Sequence, residues 1–304
     1  MSSHPSLASV DTVTASLAEH DYLADRGLAT TIFLAASLQR PLLLEGEAGV
    51  GKTEVAKVLA AMTGGELIRL QCYEGIDANQ ALYEWNYTSQ LLHLRTAEAT
   101  GTATADAADS LEEELFSERF LVRRPLLRAI DHHSEVPPVL LIDEVDRADD
   151  EFEAFLLEAL SDFSITVPEL GTFTAEVPPL VIITSNRTRD VHDALKRRAL
   201  HHWVDHPDFE REVAILHAKA PAVPERLARQ VAMATGVMRE LGMYKPPGVA
   251  ETLDWANAMH LLGETELTEE SVDATLGTLL KYREDQDKVR REGIKSLLAA
   301  VVNA

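Results

Sequence analysis

Four short apolar runs constrain this chain more than any other feature: LLLEG at 42–46, LIRLQC at 67–72, VLLID at 139–143 and LVIITSN at 180–186. Each is a short apolar run bounded by Gly, Pro or polar residues, the pattern expected of a strand buried on both faces, although LIRLQC is interrupted by Arg69 and Gln71. Helix-period sequence separates the runs. Parallel strands need such crossovers, so the expectation is an α/β fold built on a parallel sheet. A weaker fifth run, HHWVDHP at 201–207, extends the expected sheet to five strands. Ahead of the first run, residues 25–39 place Leu28, Ile32, Ala35 and Ala36 at helical spacing, and Pro41 ends that helix.

After Pro207 the character changes. FEREVAILHAKA, PERLARQVAMATGVMRELG, GVAETLDWANAMHLLG and the segment from Thr268 onward all repeat Leu, Val, Met and Ala every three to four residues, with no strand run among them. Thr268-Glu269-Glu270 reads as a helix start with acids in its first turn. Two domains follow as an expectation: an α/β core over 1–207 and an all-helical domain over 208–304. Residues 97–118, rich in Ala, Thr and Asp, read as a mobile insertion in the core rather than a packed element. No internal repeat is visible.

The formal net charge is −22, with 50 acidic against 28 basic residues. Such a surface repels nucleic acid and anionic membranes over about a Debye length, so neither is expected as a partner. The single cysteine, Cys72, excludes an intrachain disulfide and a cysteine-rich zinc cluster. The first twenty residues carry no Lys or Arg and no continuous apolar stretch, and no window approaches the run of about 20 apolar residues that a membrane helix needs. A cytoplasmic protein without membrane insertion is expected.

The first apolar run feeds G-x-x-x-x-G-K-T, with Gly46, Gly51, Lys52 and Thr53 at the fixed positions, and an alanine-rich helical sequence follows. Glycines there let the loop fold back so that successive backbone N–H groups form a nest for phosphate oxygens at the positive end of a helix. The candidate nucleotide-binding stretch is Gly46, Glu47, Ala48, Gly49, Val50, Gly51, Lys52, Thr53 and Glu54. Lys52 is expected to reach the β- and γ-phosphates, and Thr53 to ligate Mg2+. The third run ends in Asp143-Glu144, two carboxylates at the C-terminal edge of a buried strand, where open α/β sheets place ligands. Asp143 is the expected second magnesium residue and Glu144 the group that orients the attacking water. Asn186 closes the next run, where its amide can position the same water or touch the γ-phosphate. Arg197 and Arg198 lie between a helix and the last strand, and either could complete the transition-state charge on a neighbour's nucleotide. Singly, these features are also a glycine turn, a solvated acidic turn, a turn-forming Asn and a basic helix end. Their order along alternating strands and helices points to nucleotide hydrolysis.

Other features invite a function and carry less. Among His201, His202 and His206, only His202 and His206 share a face in a strand, and four residues put them about 13 Å apart along it, too far for a metal site. DEVDRADDEFE lacks the glycine and acid spacing of a calcium loop. Glu112, Glu113 and Glu114 read as a solvated face. Tyr83, Trp85 and Tyr87 read either as core or as a pore-facing or partner-binding helix.

Together these motifs resemble the AAA+ ATPases of the MoxR type. GEAGVGKTEVAK corresponds to Walker A, LLIDEVDRADDEFEAFLLEAL to Walker B and its helix, ITVPELGTFTAEVPPLVIITSN to a hairpin running into sensor 1, and ALKRRALHHWVDHP to the arginine-finger region. The likeness covers Tyr22 to Pro207, and the helical remainder fits the family's lid. IDANQALYEWNYTSQLLHLRTAE and FLVRRPLLRAI are most similar to the ATPases encoded beside molybdenum hydroxylases of the aerobic carbon monoxide dehydrogenase type. The resemblance implies a P-loop NTPase core and a ring, usually a hexamer, with ATP between subunits. It further implies a chaperone-like role in maturing the metal centre of a metalloenzyme client, commonly with a von Willebrand factor A domain partner. One departure stands out: where the family has its lid arginine, sensor 2, this chain has Val249, with Lys245 the nearest cation, so either Lys245 substitutes for it or the lid couples to ATP differently. Two other classes share such a core, an ATP-dependent binding switch with incidental hydrolysis and a nucleic-acid remodeller; the acidic balance speaks against the second.

Overall fold

The computed structural model describes residues 4–100 and 108–302. The chain divides into two compact units. The first comprises Met1–His4, Thr31–Leu44 and Leu59–His202; the second comprises Pro5–Thr30, Glu45–Val58 and Trp203–Ala304.

The first unit is organised by a sheet. Among the described residues the strands are β1 (Leu42–Glu45), β2 (Leu67–Gln71), β3 (Tyr83–Trp85), β4 (Leu121–Arg123), β5 (Val139–Asp143), β6 (Ser164–Val167), β7 (Gly171–Thr174), β8 (Leu180–Ser185) and β9 (Leu200–Trp203). Five of them form one sheet in the order β2-β5-β8-β1-β9. All four strong apolar runs and the weaker fifth become its strands, and β2, β5 and β8 pair in parallel, with Ile68 opposite Leu140 and Leu140 opposite Val181. Every residue of β1 and β5 is buried, which is why these runs do not alternate. Leu43, Leu70, Leu140, Ile142 and Ile183 pack against Leu126, Leu127 and Ile130 of the helix Pro125–Ile130 and against Phe152 and Leu156 of the helix Asp150–Asp162. Each such side chain contributes about 1.5–3 kcal/mol on burial, enough for this core to fix the sheet register. Beyond the sheet, β6 and β7 form a hairpin, as the family resemblance implied.

An antiparallel pair, β3 with β4, brackets the sequence read as an insertion. Within 97–118 the structure differs from that reading on either side of residues 101–107, which lie outside the described residues. The helix Tyr87–Thr100 runs into the segment and a further helix, Ala108–Leu115, occupies its later part. Ala and Glu are good helix formers, and the buried Gln90 amide donates to the Leu115 carbonyl at 2.6 Å, tying the two stretches together. Tyr83, Trp85 and Tyr87 do not share a helix. Tyr83 and Trp85 lie in β3, where Trp85 is 8% exposed and packs edge-on against Phe116, whereas Tyr87 opens the helix and is 70% exposed.

The second unit is helical around its own core. After 203 come the helices Phe209–Lys219, Glu225–Glu240, Val249–Leu261, Glu269–Leu279, Arg283–Glu292 and Ile294–Val302. Their apolar stripes bring Leu216, Leu227, Val231, Met238, Trp255, Met259, Val272 and Leu276 together. Trp255 is fully buried and meets its polar need by donating from Nε1 to Thr275 Oγ1 at 2.8 Å. Thr268 caps Glu269–Leu279 by accepting from the Ser271 amide, as its sequence signature predicted. The same unit takes in the N-terminal helix Val10–Glu19 and the glycine loop. Among the described residues no helix is long and apolar enough to cross a membrane.

Candidate functional site

Within the second unit, the glycine loop is shaped by close backbone contact. A Cβ at Gly46 would lie 2.3 Å from the Val204 carbonyl oxygen, so no other residue fits there. That approach is fixed by the Val204 amide, which donates to the Glu45 carbonyl at 2.7 Å. Gly49 adopts a φ of +82°, which L side chains disfavour. The loop closes around Lys52: its ammonium is buried and donates to the Gly46 carbonyl at 2.9 Å and the Glu47 carbonyl at 2.6 Å. Lys52 also begins the helix Lys52–Thr63, whose first-turn amides have no partner within the helix. A glycine loop with a buried cation and a helix N-terminus presents donors of the kind that suit phosphate oxygens.

Around this loop, Val50 is buried while Glu47 is exposed. Glu47 lies 3.8 Å from His206, whose pKa is lowered by burial and by the Arg239 charge. Glu54 faces cations of its surroundings, Lys57 at 3.1 Å and Lys219 at 3.5 Å. Tyr22 packs beside Gly51, and burial pushes its phenol pKa upward.

The first unit holds the acidic residues. Asp143 is buried at the end of β5. Its Oδ1 accepts from the Thr184 hydroxyl at 2.6 Å, and its Oδ2 accepts from Arg69 at 3.0 Å from Nε and 2.5 Å from Nη2. Glu144 takes a left-handed backbone conformation, φ 56° and ψ 52°, which costs a non-glycine residue about 1–2 kcal/mol. Its amide donates to the same Thr184 hydroxyl at 2.9 Å. One hydroxyl on β8 therefore bridges both acids. The Glu144 carboxylate is held by Gln71 Nε2 at 3.1 Å, Arg147 Nη1 at 3.2 Å and Asn186 Nδ2 at 3.4 Å. Asn186 is held in turn, because its amide donates to buried Asp146, which also accepts from the amide and hydroxyl of Thr188. Cys72, next to these acids, has its thiol pKa pushed to about 12 by burial and by the Asp143 charge. It is a neutral packing group rather than a nucleophile.

Asp143, Glu144 and Asn186 are thus brought together as their sequence order suggested, and Arg69, Gln71, Asp146 and Thr184 join them unforeseen. Two signals were available: Thr184 interrupts an apolar strand, and Gln71 ends β2 opposite Asp143 in the parallel register. Arg197 and Arg198 close the short helix Asp193–Arg198, whose start is held by buried Glu153: its carboxylate pairs with Arg189 and accepts from the His192 amide at 2.7 Å. The two arginines differ. Arg198 donates to the Leu157 carbonyl at 3.0 Å. Arg197 is exposed, and its guanidinium has no hydrogen-bond or ion-pair partner among the described residues. Arg40 grips the carbonyls of both, at 2.7 Å for Arg197 and 2.9 Å for Arg198. Among the described residues no group of three His, Cys, Asp or Glu converges on a common point.

Residues 41–199, just over half of the chain, match the AAA domain family, dynein-related subfamily. Among solved structures, the RuvB Holliday junction branch migration motor of Thermotoga maritima is 16% identical over 87% of this chain and 70% of its own, with a TM-score of 0.46. A protein of Cytophaga hutchinsonii described as a candidate ATPase is 14% identical over 96% of this chain and 94% of its own, also with a TM-score of 0.46. No curated protein matches in sequence.

Proposed function

Because the chain belongs to the AAA domain family, in its dynein-related subfamily, we propose that it is a magnesium-dependent ATPase of the MoxR type whose hydrolysis drives chaperone-like maturation of a metalloenzyme. The family is one of P-loop NTPases. The observation that carries hydrolysis is the Thr184 hydroxyl joining Asp143 to Glu144, with Gln71 and Asn186 aiming the Glu144 carboxylate. A left-handed backbone at an acidic residue is strain of the kind that gathers at functional sites. In this reading the main-chain amides of Gly46–Thr53 and the Lys52 ammonium bind the triphosphate, with Glu54 in the first turn of the following helix. Glu144 activates the attacking water, and Asn186 senses the γ-phosphate or positions that water.

Thr53 and Asp143 are the magnesium residues. The donor set suits the ion, since both are hard oxygen ligands. Asp143 already draws a positive group, the Arg69 guanidinium, onto its buried carboxylate. Magnesium, when bound, neutralises charge on the phosphate oxygens. Arg197 rather than Arg198 is the residue offered to a neighbouring subunit's nucleotide, because Arg198 is engaged with its own chain.

The proposed assembly is a cytoplasmic ring, a hexamer by analogy with the family. Residues 1–207 form the nucleotide-binding core and 208–304 the lid. A von Willebrand factor A domain protein and an enzyme of the carbon monoxide dehydrogenase type are the proposed partners. A binding switch is the rival reading, and the engagement of the Asp143 carboxylate by Arg69 favours it. The Glu144→Gln variant tests both. It is expected to bind Mg-ATP and assemble on sizing columns while turning over at least about 100-fold more slowly. Hydrolysis at the wild-type rate would remove Glu144 from the mechanism. Full client activation by the variant would favour the switch.

A further inference from the structure

Gly248 and Gly49 touch through their backbones. A Cβ built on Gly248 would lie 2.7 Å from the Gly49 Cα and 2.8 Å from its carbonyl carbon. The φ of Gly248 is −81°, open to any residue, so glycine is needed there for the approach and not for the conformation. Immediately after it, the helix Val249–Leu261 begins. The Val249 amide donates to the Gly49 carbonyl at 3.0 Å and the Ala250 amide at 3.4 Å. In a trans peptide the carbonyl of one residue and the N–H of the next point in opposite directions. Holding the Gly49 carbonyl therefore aims the Val50 N–H away from the helix.

The turn that does the holding is itself held. The Arg239 guanidinium donates to the Pro247 carbonyl at 2.8 Å and forms a two-pronged pair with Glu212, at 2.6 and 2.7 Å. Both side chains are buried, 11% and 2% exposed, which makes the pair a fixed anchor. Buried Asp285 accepts from the amides of Tyr244 at 2.8 Å and Lys245 at 3.1 Å. Glu251 accepts from the Gly248 amide at 3.1 Å. The main chain leading to Gly49 is thus fixed from three directions, all within the second unit.

We propose that the turn Pro246–Ala250 is a positioning element that orients the Val50 amide of the glycine loop through the Gly49 carbonyl, with Arg239, Glu212 and Asp285 as the positioning residues behind it. The inference rests on the reading of the loop as a phosphate receptor. It assigns to Val249 a main-chain contact where the family resemblance expected an arginine side chain, so the helical segment acts on the loop by aiming an amide instead of by supplying a charge.

The test is Gly248→Ala in the full chain, with two readouts. Hydrogen exchange of the loop amides 47–51 without nucleotide should accelerate by about tenfold or more, and the Kd for mant-ATP with Mg2+ should weaken by about tenfold. Gly236→Ala, on the helix Glu225–Glu240 where a Cβ meets no atom within 4 Å, should change neither. Arg239→Lys keeps the charge facing Glu212 and loses the fork and the grip on Pro247, so it should move both readouts in the same direction. Unchanged loop exchange in a folded Gly248→Ala protein overturns the proposal. If that variant does not fold, unchanged exchange in Arg239→Lys overturns it. Wild-type protein that fails to bind mant-ATP defeats the phosphate reading, and exchange alone then decides whether the turn positions the loop.

Discussion

Replacing Thr184 by valine keeps the volume and β-branching of a fully buried strand residue and removes only its hydroxyl. Two interactions go with it: a donor to the Asp143 carboxylate at 2.6 Å and an acceptor for the Glu144 amide at 2.9 Å. A hydrogen bond to a charged group contributes about 1.5–3 kcal/mol, and a buried amide left without a partner costs about 1–3 kcal/mol. Arg69 still neutralises Asp143, so the lower half of the summed range applies, about 3 kcal/mol. For a unit of this size that corresponds to a fall in Tm of about 6–12 °C. The second consequence is functional. Without its acceptor, the Glu144 amide no longer stabilises the left-handed conformation, and the carboxylate leaves Gln71 and Asn186. Turnover should fall by about 10–100-fold with a much smaller change in mant-ATP affinity. Thr184→Ser is the control, because it retains the hydroxyl and loses one methyl, at about 1 kcal/mol. Differential scanning calorimetry and steady-state ATPase assays read the two effects. A valine variant as stable and as active as the serine variant would refute the bridging role of the hydroxyl.

The two arginines at 197 and 198 should separate. Arg197→Ala is expected to leave Tm unchanged and reduce ATP turnover by about 1,000-fold in assembled protein, whereas Arg198→Ala should lower stability by about 1 kcal/mol through loss of its bond to Leu157; equal kinetic loss in both would contradict the assignment. Cys72 carries a pH signature. Its thiol pKa rises from 9.0 to about 12 in the folded chain, so between these values the unfolded state holds fewer protons than the folded one and stability declines as pH increases. Denaturation midpoints measured from pH 8 to 11 should fall less steeply in Cys72→Ala than in the wild type, and parallel curves would show that the thiol does not titrate as described.

The parts legible from sequence are those whose physics is local. A run such as VLLID between prolines and acids has no alternation to expose a face and reads as an interior strand, and the four apolar runs with the weaker fifth became the five strands of the sheet, β2 and β9 at its edges alternating in burial. The glycine loop is equally local: closure on Lys52 involves partners five and six residues away. Thr268 as a cap and Asp143-Glu144 at a strand end follow from the same short-range rules. Segment 97–118 was harder, because its composition suits a solvated loop and a helix equally. Its helices are tied in by a buried glutamine reaching from 90 to 115.

What the tertiary structure alone decided are contacts between residues distant in sequence. Thr184 meets Asp143 across 41 positions and Arg69 meets it across 74, distances over which no periodicity signals a partner. The parallel register brings Gln71 opposite Asp143 at one edge of the sheet. Arg197 and Arg198 are indistinguishable as a dipeptide, and they differ in the fold because only Arg198 turns toward a carbonyl at Leu157. The glycine at 248 reads as an ordinary turn former until Gly49 is found against it. Side-chain chemistry is written residue by residue, but which groups come to share one hydroxyl or one carbonyl is set by strand register and helix packing, and those depend on the whole chain at once.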